Sequence, residues 1–452
     1  MKKIFRISAL LMILPLVATS CFKNEEDDIF DNSAAERLNE ASSEYAKILT
    51  DKGGKWAMEY FASESMQGFV YVMTFRPNGT VTISGENPYI GAVITGNGQT
   101  SMAYGSADSQ WDIIRDNGPV LSFSSYNKYF HLFSTPEDIL GSAFGTGLSG
   151  RGYEGDYEFT LMKYSNDTLY IDGKKRALSM IMTRLPEDTD DRTYLDEIVA
   201  EKGKYFSSKI PRVFVAYPNG ERHVMTGASN LVMTVYDEKS EDPLTTSFSA
   251  NAIISHSSFS FMHPLTFGEC SAQHFLPQED GSLLCLDDNK TTISAGDLSK
   301  DCFTDTLQEW TADVKAFSGS IKAALDELNS QLPKVNNFQR YIQSVGFGYV
   351  KYPLQKLTIS ITVQITKQSK LPLVFYYEPS FPAADQLKLT MIGDDGGQMT
   401  AAYLESFSGM RNLLEQLTTP TFKFTTSSRL APVEMLMSDA SNAENSLVVK
   451  AK

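Results

Sequence analysis

Residues 68–84 read GFVYVMTFRPNGTVTIS, and this stretch decides the fold class. Two runs rich in β-branched and aromatic residues, 68–75 and 80–84, flank the tripeptide Pro77-Asn78-Gly79. Proline and asparagine favour a tight turn, and the glycine tolerates the positive φ angle that a hairpin turn demands. The stretch therefore predicts two antiparallel strands joined by a hairpin.

Similar short runs surround this hairpin on both sides. They are closely spaced and separated by turn residues, which is typical of an antiparallel barrel or sandwich. We therefore predict a mainly β fold with a few helices, in which an antiparallel barrel or sandwich precedes a larger β-rich domain that carries one long helix. The strands predicted in the first domain are 55–61, 68–75, 80–84, 111–114, 120–124, 129–133, 156–162, 169–171 and 177–184.

A helix is predicted to open the first domain. Ser33 and Glu36 have the spacing of a capping box, in which each side chain accepts a hydrogen bond from the backbone of the other. Apolar residues then recur at helical spacing until Gly53-Gly54 ends the run. These apolar residues are Leu38, Ala41, Tyr45, Ile48 and Leu49.

The N-terminus has the features of an export signal. Basic residues come first, an apolar run follows, and the small residues Ala18-Thr19-Ser20 precede Cys21. This ending resembles a bacterial lipobox, which implies that the signal peptide 1–20 is removed and that Cys21 is acylated. A lipid anchor would hold the protein at a membrane without any contact from the folded part.

An acidic tether is predicted for residues 21–32, because the run Glu25-Glu26-Asp27-Asp28 has nothing to bury. One interpretation is a plain linker. The other is an export signal, since a lysine and acidic residues behind the lipidated cysteine resemble the signal that sends lipoproteins of Bacteroidota to the outer face of the outer membrane. We expect the second, and hence an outer-membrane protein that faces the cell exterior.

Chain length and net charge bear on the number of domains and on the class of partner. A chain of 452 residues exceeds the size at which one hydrophobic core stops growing, so at least two domains are expected. The formal net charge is −15, and no run of lysines and arginines offsets it. Such a surface repels phosphate backbones, which excludes nucleic acid as a partner.

A set of short motifs resembles an uncharacterised family of Bacteroidota surface lipoproteins that carries the domain of unknown function DUF4302. The resemblance implies a lipocalin-like N-terminal part and a place beside TonB-dependent uptake systems, but no catalytic residue. The motifs are Trp56-Ala57-Met58-Glu59-Tyr60, Phe75-Arg76-Pro77-Asn78-Gly79-Thr80-Val81, Leu121-Ser122-Phe123 with Tyr126-Asn127 and His131, and Gly155-Asp156-Tyr157-Glu158-Phe159.

A polar break at 187–192 suggests the domain boundary, which gives a lipocalin-like domain at 33–186 and a second β-rich domain at 187–452.

In the second domain, residues 357–365 alternate between apolar and polar and predict a half-buried strand. A hairpin is predicted for 387–392 and 399–404, and a helix for 405–417. The long helix is predicted from an apolar stripe that Pro333 ends, and we expect it to pack on its own domain. The stripe is Leu307, Trp310, Val314, Phe317, Ile321, Ala324, Leu325, Leu328 and Leu332.

Two sets of residues resemble site motifs, but their spacing or context does not fit those motifs. The string 145–150 matches a dinucleotide-binding pattern, but a strand follows it where a helix should, so we interpret it as a glycine-rich loop. His256, His263, Cys270 and His274 cluster in the sequence without zinc-site spacing, and no metal or cofactor is predicted.

Two further groups carry no predicted chemistry. Glu154, Asp156 and Glu158 alternate on a predicted strand, and we expect solvated carboxylates there rather than a catalytic pair. Cys270, Cys285 and Cys302 permit one disulfide or none.

The leading hypothesis is therefore a non-catalytic accessory protein, lipidated at Cys21, that helps to capture a glycan or peptide nutrient for a neighbouring uptake system. Three alternatives remain open, and one of them, a carrier of apolar ligands, would need an open cavity inside the barrel. A hydrolase would need a cleft with converging carboxylates of shifted pKa. An adhesin or scaffold would present a flat apolar patch without a pocket.

Overall fold

A computed structural model of the chain describes residues 33–96, 98–136, 150–256, 258–350 and 354–452. The predicted signal peptide, Cys21 and the acidic tether lie outside the described residues, and so does the glycine-rich loop except for its last residue, Gly150. Within the described ranges, no helix is both long and apolar enough to cross a membrane.

The predicted mainly β fold is confirmed, and in the described part of the chain all strands but two form three closed antiparallel barrels of eight strands each. The first barrel follows the chain in simple up-and-down order and closes where its first strand pairs with its last, which is the topology of a lipocalin barrel. Its strands are β1 (Lys55–Tyr60), β2 (Phe69–Phe75), β3 (Thr80–Asn87), β4 (Ala103–Arg115), β5 (Pro119–Phe123), β6 (Glu158–Ser165), β7 (Thr168–Gly173) and β8 (Ser179–Arg184).

The second barrel has the same up-and-down order and closes where its first and last strands pair. It contains β9 (Arg212–Ala216), β10 (Arg222–Thr226), β11 (Val232–Asp237), β12 (Phe248–Ser255), β13 (Ser258–Phe267), β14 (Cys270–Pro277), β15 (Leu283–Cys285) and β16 (Thr292–Ser294).

The third barrel begins with β17 (Trp310–Ala312), which pairs with both the second and the last strand of that barrel. A two-stranded ribbon of β18 (Lys334–Val335) and β19 (Phe338–Gln339) precedes the other seven strands. These are β20 (Tyr341–Val350), β21 (Lys356–Gln364), β22 (Lys370–Ser380), β23 (Gln386–Asp394), β24 (Thr421–Thr425), β25 (Glu434–Asp439) and β26 (Ser446–Ala451).

The helices of the described residues precede the first strand or lie between strands in the chain. The predicted capping box is confirmed, because the Ser33 backbone N–H donates to the Glu36 carboxylate over 2.9 Å and the Glu36 N–H donates to the Ser33 hydroxyl over 3.3 Å. The helices are α1 (Ala34–Thr50), α2 (Pro88–Thr95), α3 (Asp191–Tyr205), α4 (Pro243–Thr246), α5 (Lys300–Phe303), α6 (Gly319–Gln331), α7 (Gln398–Ser406) and α8 (Ser408–Thr418).

The predicted hairpin at 68–84 forms as β2 and β3, and Gly79 in its turn has φ +81°. Alternate side chains of these and the neighbouring strands fill the first barrel. Its interior is a set of aromatic rings in mutual edge-on or tilted contact, each no more than 1 % exposed. They include Tyr60, Tyr71, Phe123, Phe130 and Phe159. The described part of this barrel interior is therefore filled by side chains rather than by the open cavity that a carrier of apolar ligands would need.

The first two barrels are held together by direct contacts between their walls. The Gly68 N–H, at the start of β2, donates to the Ala252 carbonyl of β12 over 3.0 Å. Ile253 and Met262 of the second barrel belong to the apolar cluster of the first. Helix α3 packs against both barrels, and Lys55 pairs with Asp191 at its start over 3.0 Å.

The second and third barrels share one continuous apolar core. The sequence predicted a single larger β-rich unit at 187–452, and the structure instead places two closed barrels there. The reason is local: β15, β16 and β17 have three residues each, which is too few to show a strand period in sequence.

Three predicted elements were wrong. Residues 399–404 lie in α7 and not in a hairpin strand, and His131–Phe133 is a 3-10 turn and not a strand. The long helix begins at Gly319, because Trp310 belongs to β17. The residues from Trp310 to Phe317 recur at helical spacing by coincidence, since several are drawn into the core from a strand and a turn. As predicted, the buried face of α6 packs on its own domain.

Other predictions in the second half are confirmed. β21 alternates between buried and partly exposed residues along almost its whole length, as the pattern at 357–365 indicates. Helix α8 occupies most of the range 405–417.

Candidate functional site

A cleft lies between the outer walls of the first two barrels. Strand pairing aligns Glu59 of β1 with Ile181 of β8, and Ile181 with Tyr170 of β7. These three residues form one row across the wall of the first barrel. Neighbouring strands are about 4.8 Å apart, so the Cα atoms of Glu59 and Tyr170 lie about 10 Å apart.

Asp172 and Ser179 form a polar pair beside this row, two residues away along β7 and β8. Asp172 is opposite Ser179 in the β7–β8 pair, and the Ser179 hydroxyl donates to the Asp172 carboxylate over 2.8 Å. Because side chains alternate in direction along a strand, both residues point to the same side as Tyr170 and Ile181. The wall therefore carries two carboxylates, one aromatic ring and an apolar centre.

The opposite wall belongs to β13 and β14 of the second barrel. Ser260 of β13 is paired with His274 of β14. The Gln273 amide is fixed by donation to the carbonyls of Phe261 and Met262, each over 3.2 Å. The wall is thus held in place by its own backbone, as a preformed ligand site requires.

The cavity between the walls has a volume of about 370 Å³. This lies within the roughly 300–1,000 Å³ that is typical of small-molecule sites. Apolar groups make up most of the lining, with polar groups from both barrels at intervals. The lining residues are Glu59, Phe61, Met162, Tyr170, Ile171, Asp172, Ser179, Met180, Ile181, Ser260, Phe261, Met262, Gln273 and His274.

Glu59 is the most perturbed group of the cleft. Burial raises the pKa of its carboxyl, while a hydrogen bond from Ser255 and the proximity of His274 act in the opposite direction. The Ser255 hydroxyl is itself 2.5 Å from the Ser258 hydroxyl at the tip of the β12–β13 hairpin. Glu59 thus connects the two barrels through a short polar chain.

His274 is oriented by a carboxylate behind it. Its Nδ1 lies 3.0 Å from Asp287 Oδ1, and the backbone N–H groups of Gln273 and His274 donate to Oδ2 of the same carboxylate over 2.7 and 3.0 Å. Burial alone would raise the pKa of Asp287, but these hydrogen bonds outweigh it and lower the pKa. Asp287 therefore remains charged and fixes the ring of His274 at the cleft.

The apolar side of the cleft is accessible to solvent. Tyr170 is 44 % exposed and Met162 is 57 % exposed, although neither lies at a tip of the fold. An aromatic ring, a flexible thioether and several hydrogen-bonding groups around one cavity suit an amphipathic ligand.

The histidines and the cysteine weighed in the sequence do not come together. His256 stacks on Tyr194 with ring centroids 5.4 Å apart, His263 is exposed, and Cys270 is half-buried. Only His274 reaches the cleft. The described residues contain no group of three or more His, Cys, Asp or Glu side chains placed to hold a metal ion.

All three cysteines of the described chain are free thiols. Cys285 and Cys302 are buried, and burial raises the pKa of both thiols. These two cysteines fill space in the core rather than act as nucleophiles.

The sequence predicted that the acidic triplet at 154–158 is a row of solvated carboxylates on one strand, and this prediction is wrong. Asp156 is only 4 % exposed and accepts hydrogen bonds from the backbone N–H groups of Lys175 (2.6 Å) and Arg176 (3.1 Å). Glu154 has φ +57° and pairs with Arg151 and Arg176. The triplet therefore organises the β7–β8 turn and has no place in the cleft.

The residues of the cleft were missed in the sequence, although two signals were present. Glu59 is the only charged residue in the run Trp56-Ala57-Met58-Glu59-Tyr60, which marks it as unusual on a strand with both faces covered. Tyr170 alternates with the buried Leu169 and Ile171, which places it on the outer face. Neither signal shows which strands of the two barrels face each other, because that depends on tertiary packing.

No curated protein matches the chain. Similar solved structures include the β subunit of DNA polymerase from Streptococcus pyogenes, at 11 % identity with 91 % of this chain and 97 % of that chain covered, and a TM-score of 0.12. DNA polymerase III subunit β from Borrelia burgdorferi, in complex with a natural product, has 9 % identity, 92 % and 97 % coverage, and a TM-score of 0.12. Scores this low carry no argument about fold or function.

The sequence also matches a family model over residues 26–278, which is more than half of the chain. The matched range contains the whole first barrel, helix α3 and both walls of the cleft. The chain therefore belongs to the family defined by the domain of unknown function DUF4302.

Proposed function

We propose that the protein is a lipid-anchored lipoprotein of the outer membrane that faces the cell exterior and binds a nutrient, either a glycan or a peptide, for a TonB-dependent uptake system. The observation that carries the binding role is the inter-barrel cleft of about 370 Å³ with its aromatic, carboxylate and amide groups. A cavity of this size and mixed lining suits a small amphipathic ligand. The packed interior of the first barrel supports a site outside it.

Anchoring is supported by the sequence of the first 21 residues alone. The basic start, the apolar run and the small residues before Cys21 are those of a lipoprotein signal. Labelling of cells with a radioactive fatty acid should mark the protein, and Cys21→Ala should abolish the label. Label retained in this variant would contradict lipidation at Cys21.

Exposure at the cell surface is supported by the acidic run 25–28 behind the anchor. Replacing these four residues with alanine should protect the protein from external protease on intact cells, while it stays in the membrane fraction. Unchanged cleavage would contradict the export role of the run. The membrane is contacted through the lipid only, and the net charge of −15 argues against nucleic acid.

The binding role is tested with the purified chain lacking residues 1–20 on an array of glycans and peptides. Tyr170→Ala should weaken the binding of the selected ligand about 10-fold, because it removes the exposed ring of the cleft. Tyr126→Ala is the matched control, since Tyr126 is 66 % exposed and lies outside the cleft. Equal effects of the two substitutions, or no ligand on the array, would contradict a binding role for the cleft.

The cleft also supports a second candidate, a hydrolase. Its two carboxylates lie on one wall, and burial raises the pKa of Glu59, as in a general acid. We propose binding without catalysis as the primary role. Incubation of the array ligand with the protein, followed by mass spectrometry, distinguishes the two: cleavage products that disappear with Glu59→Gln would establish the hydrolase instead.

A further inference from the structure

The two carboxylates of the cleft have no lysine or arginine partner among the described residues. Among the residues that the structure describes, neither Glu59 nor Asp172 forms an ion pair with a lysine or arginine, and their contacts are hydroxyl groups from Ser255 and Ser179 and the nearby ring of His274. Elsewhere on the first barrel, carboxylates such as Glu158 and Asp167 are paired with lysine or arginine. Neither carboxylate of the cleft is therefore in a salt bridge with a lysine or arginine among the described residues, and the nearby His274 is the source of positive charge at Glu59.

This arrangement has a cost in the absence of a ligand. A carboxylate removed from water is destabilised unless an opposite charge or several hydrogen bonds replace its hydration. The raised pKa of Glu59 reports that its present hydrogen bonds do not compensate for burial. Asp287, which stays ionised behind His274, adds a further negative charge at the second wall. A cation that enters the cleft would relieve this cost.

The aromatic ring of the cleft favours the same kind of ligand. The face of a tyrosine ring attracts cations within about 6 Å of its centroid. The ammonium of Lys163 already lies over the Tyr170 ring at 5.8 Å, near the limit of that range. A ligand cation that approaches more closely can compete with Lys163 for the ring.

The apolar lining adds a requirement for a hydrophobic stem. Phe61, Met162 and Ile181 also line the cavity, and in the strand register Ile181 lies between Glu59 and Tyr170. A lysine or arginine side chain combines an aliphatic stem with a terminal charge, and such stems pack on apolar surface while the charged group binds elsewhere. A neutral sugar would leave both carboxylates without a counter-charge.

We propose that the cleft binds peptides through a lysine or arginine side chain, whose cationic group is held by Glu59 and Asp172 and whose stem packs on the apolar lining beside Tyr170. This rests on the proposed function, in which the same cleft is the nutrient site, and it selects a basic peptide rather than a glycan.

The test is isothermal titration calorimetry of the chain lacking residues 1–20 with an acetylated and amidated Ala-Lys-Ala peptide. The comparison peptide has norleucine in place of lysine, which keeps the stem and removes the charge. We expect the norleucine peptide to bind at least 10-fold more weakly, because charge-assisted hydrogen bonds are lost. Equal binding of the two peptides would overturn the proposal.

Variants assign the effect to the cleft. Glu59→Gln and Asp172→Asn should each weaken the lysine peptide several-fold and leave the norleucine peptide unchanged. Glu405→Gln removes the same charge from an exposed site on α7 of the third barrel and should change neither. Lys163→Gln should strengthen binding, because it removes the competing cation; this gain would not arise from misfolding. Unchanged affinity in all three cleft variants would overturn the proposal.

The outcome also separates this inference from the proposed function. If a neutral glycan binds and Tyr170→Ala removes that binding, while the lysine peptide does not bind, the cleft is a nutrient site but the inference is wrong. If no glycan or peptide of any charge binds in a manner sensitive to Tyr170→Ala, both are wrong.

Discussion

The contact between β3 and helix α3 predicts a loss of stability as pH rises toward neutrality. Glu86 of β3 shares a hydrogen bond between carboxyl groups with Asp196 of α3, and its other oxygen, Oε2, is buried with no hydrogen-bond partner among the described residues. Burial, together with the hydrogen bond and the charge of Asp196, raises the pKa of Glu86 from 4.5 to about 7, although Arg192 opposes this. The proton is therefore bound more tightly in the folded protein than in the unfolded chain.

The sign and size of the change in stability with pH follow from the difference in the pKa of Glu86 between the folded protein and the unfolded chain. Below about pH 4.5 Glu86 is protonated in both states, and between pH 4.5 and 7 the unfolded chain loses the proton while the folded protein keeps it, so the free energy of unfolding falls. Above pH 7 the loss is complete. A shift of this size corresponds to about 3 kcal/mol if the group is fully shielded. Glu86 is partly exposed, so we expect about 1–2 kcal/mol after screening by water.

Glu86→Gln should remove this loss, because an amide is neutral and can still donate to Asp196. In urea titrations, the variant should exceed the unsubstituted protein in free energy of unfolding by about 1–2 kcal/mol at pH 8 and by much less at pH 5. Glu405→Gln, on an exposed turn of α7, is the control and should have little effect at either pH. If Glu86→Gln gives the same difference at both pH values, or is less stable at pH 8, the reasoning about this contact is refuted.

Three further predictions concern packing and reactivity. Gly68→Ala should lower the free energy of unfolding by about 1–3 kcal/mol in urea titrations, since its methyl group would lie 2.7 Å from a side-chain carbon of the second barrel; an unchanged value would show that the barrel contact adapts freely. Asp156→Ala should cost about 1–3 kcal/mol in the same assay, because two backbone N–H groups lose a buried acceptor, and a neutral result would refute its structural role. In the native chain lacking residues 1–21, from which Cys21 is also removed, a thiol reagent should modify Cys270 alone, while Cys285 and Cys302 react only after denaturation; rapid reaction of all three thiols would contradict their burial.

Local patterns predicted much of the first barrel and one strand of the third. The turn at Pro77-Asn78-Gly79, the capping box of α1 and the alternation of β21 are each determined by residues that are neighbours in sequence, and each has the expected structure. Helix α2 was missed, although Asn87 followed by Pro88 is a helix-start signal in which the asparagine side chain accepts from the N–H groups of Tyr89 and Ile90.

Errors arose where packing decides the local structure. Residues 399–404 follow Gly396-Gly397 and contain apolar residues at alternate positions, which suggested a hairpin strand. In the fold they form a helix beside α8. The spacing from Trp310 to Val314 fits 3.6 residues per turn and predicts a helix. In the structure, Trp310 lies in a strand and its indole N–H donates to the Cys302 carbonyl. Short segments of this kind satisfy two periods at once.

The candidate site could not be predicted from patterns of this kind. Its residues come from β1, β6, β7, β8, β13 and β14, and the chain from Glu59 to His274 passes through strands of both barrels. A strand pattern gives the face on which Glu59 or Tyr170 lies, but the partner wall depends on how two complete barrels dock. The docking depends in turn on Gly68, whose lack of a side chain lets the wall of the second barrel approach.

Closure of the three barrels has a consequence for how the protein can be divided. The family match ends at residue 278, just after β14, but the second barrel is completed by β15 and β16 and by the pairing of β16 with β9. A fragment cut at that point would leave β9 and β14 as bare edges, with rows of unpaired N–H and C=O groups. Such edges recruit strands from other molecules, so the fragment should self-associate where the intact chain does not. Closed barrels of this kind would let many copies crowd together without joining strand to strand.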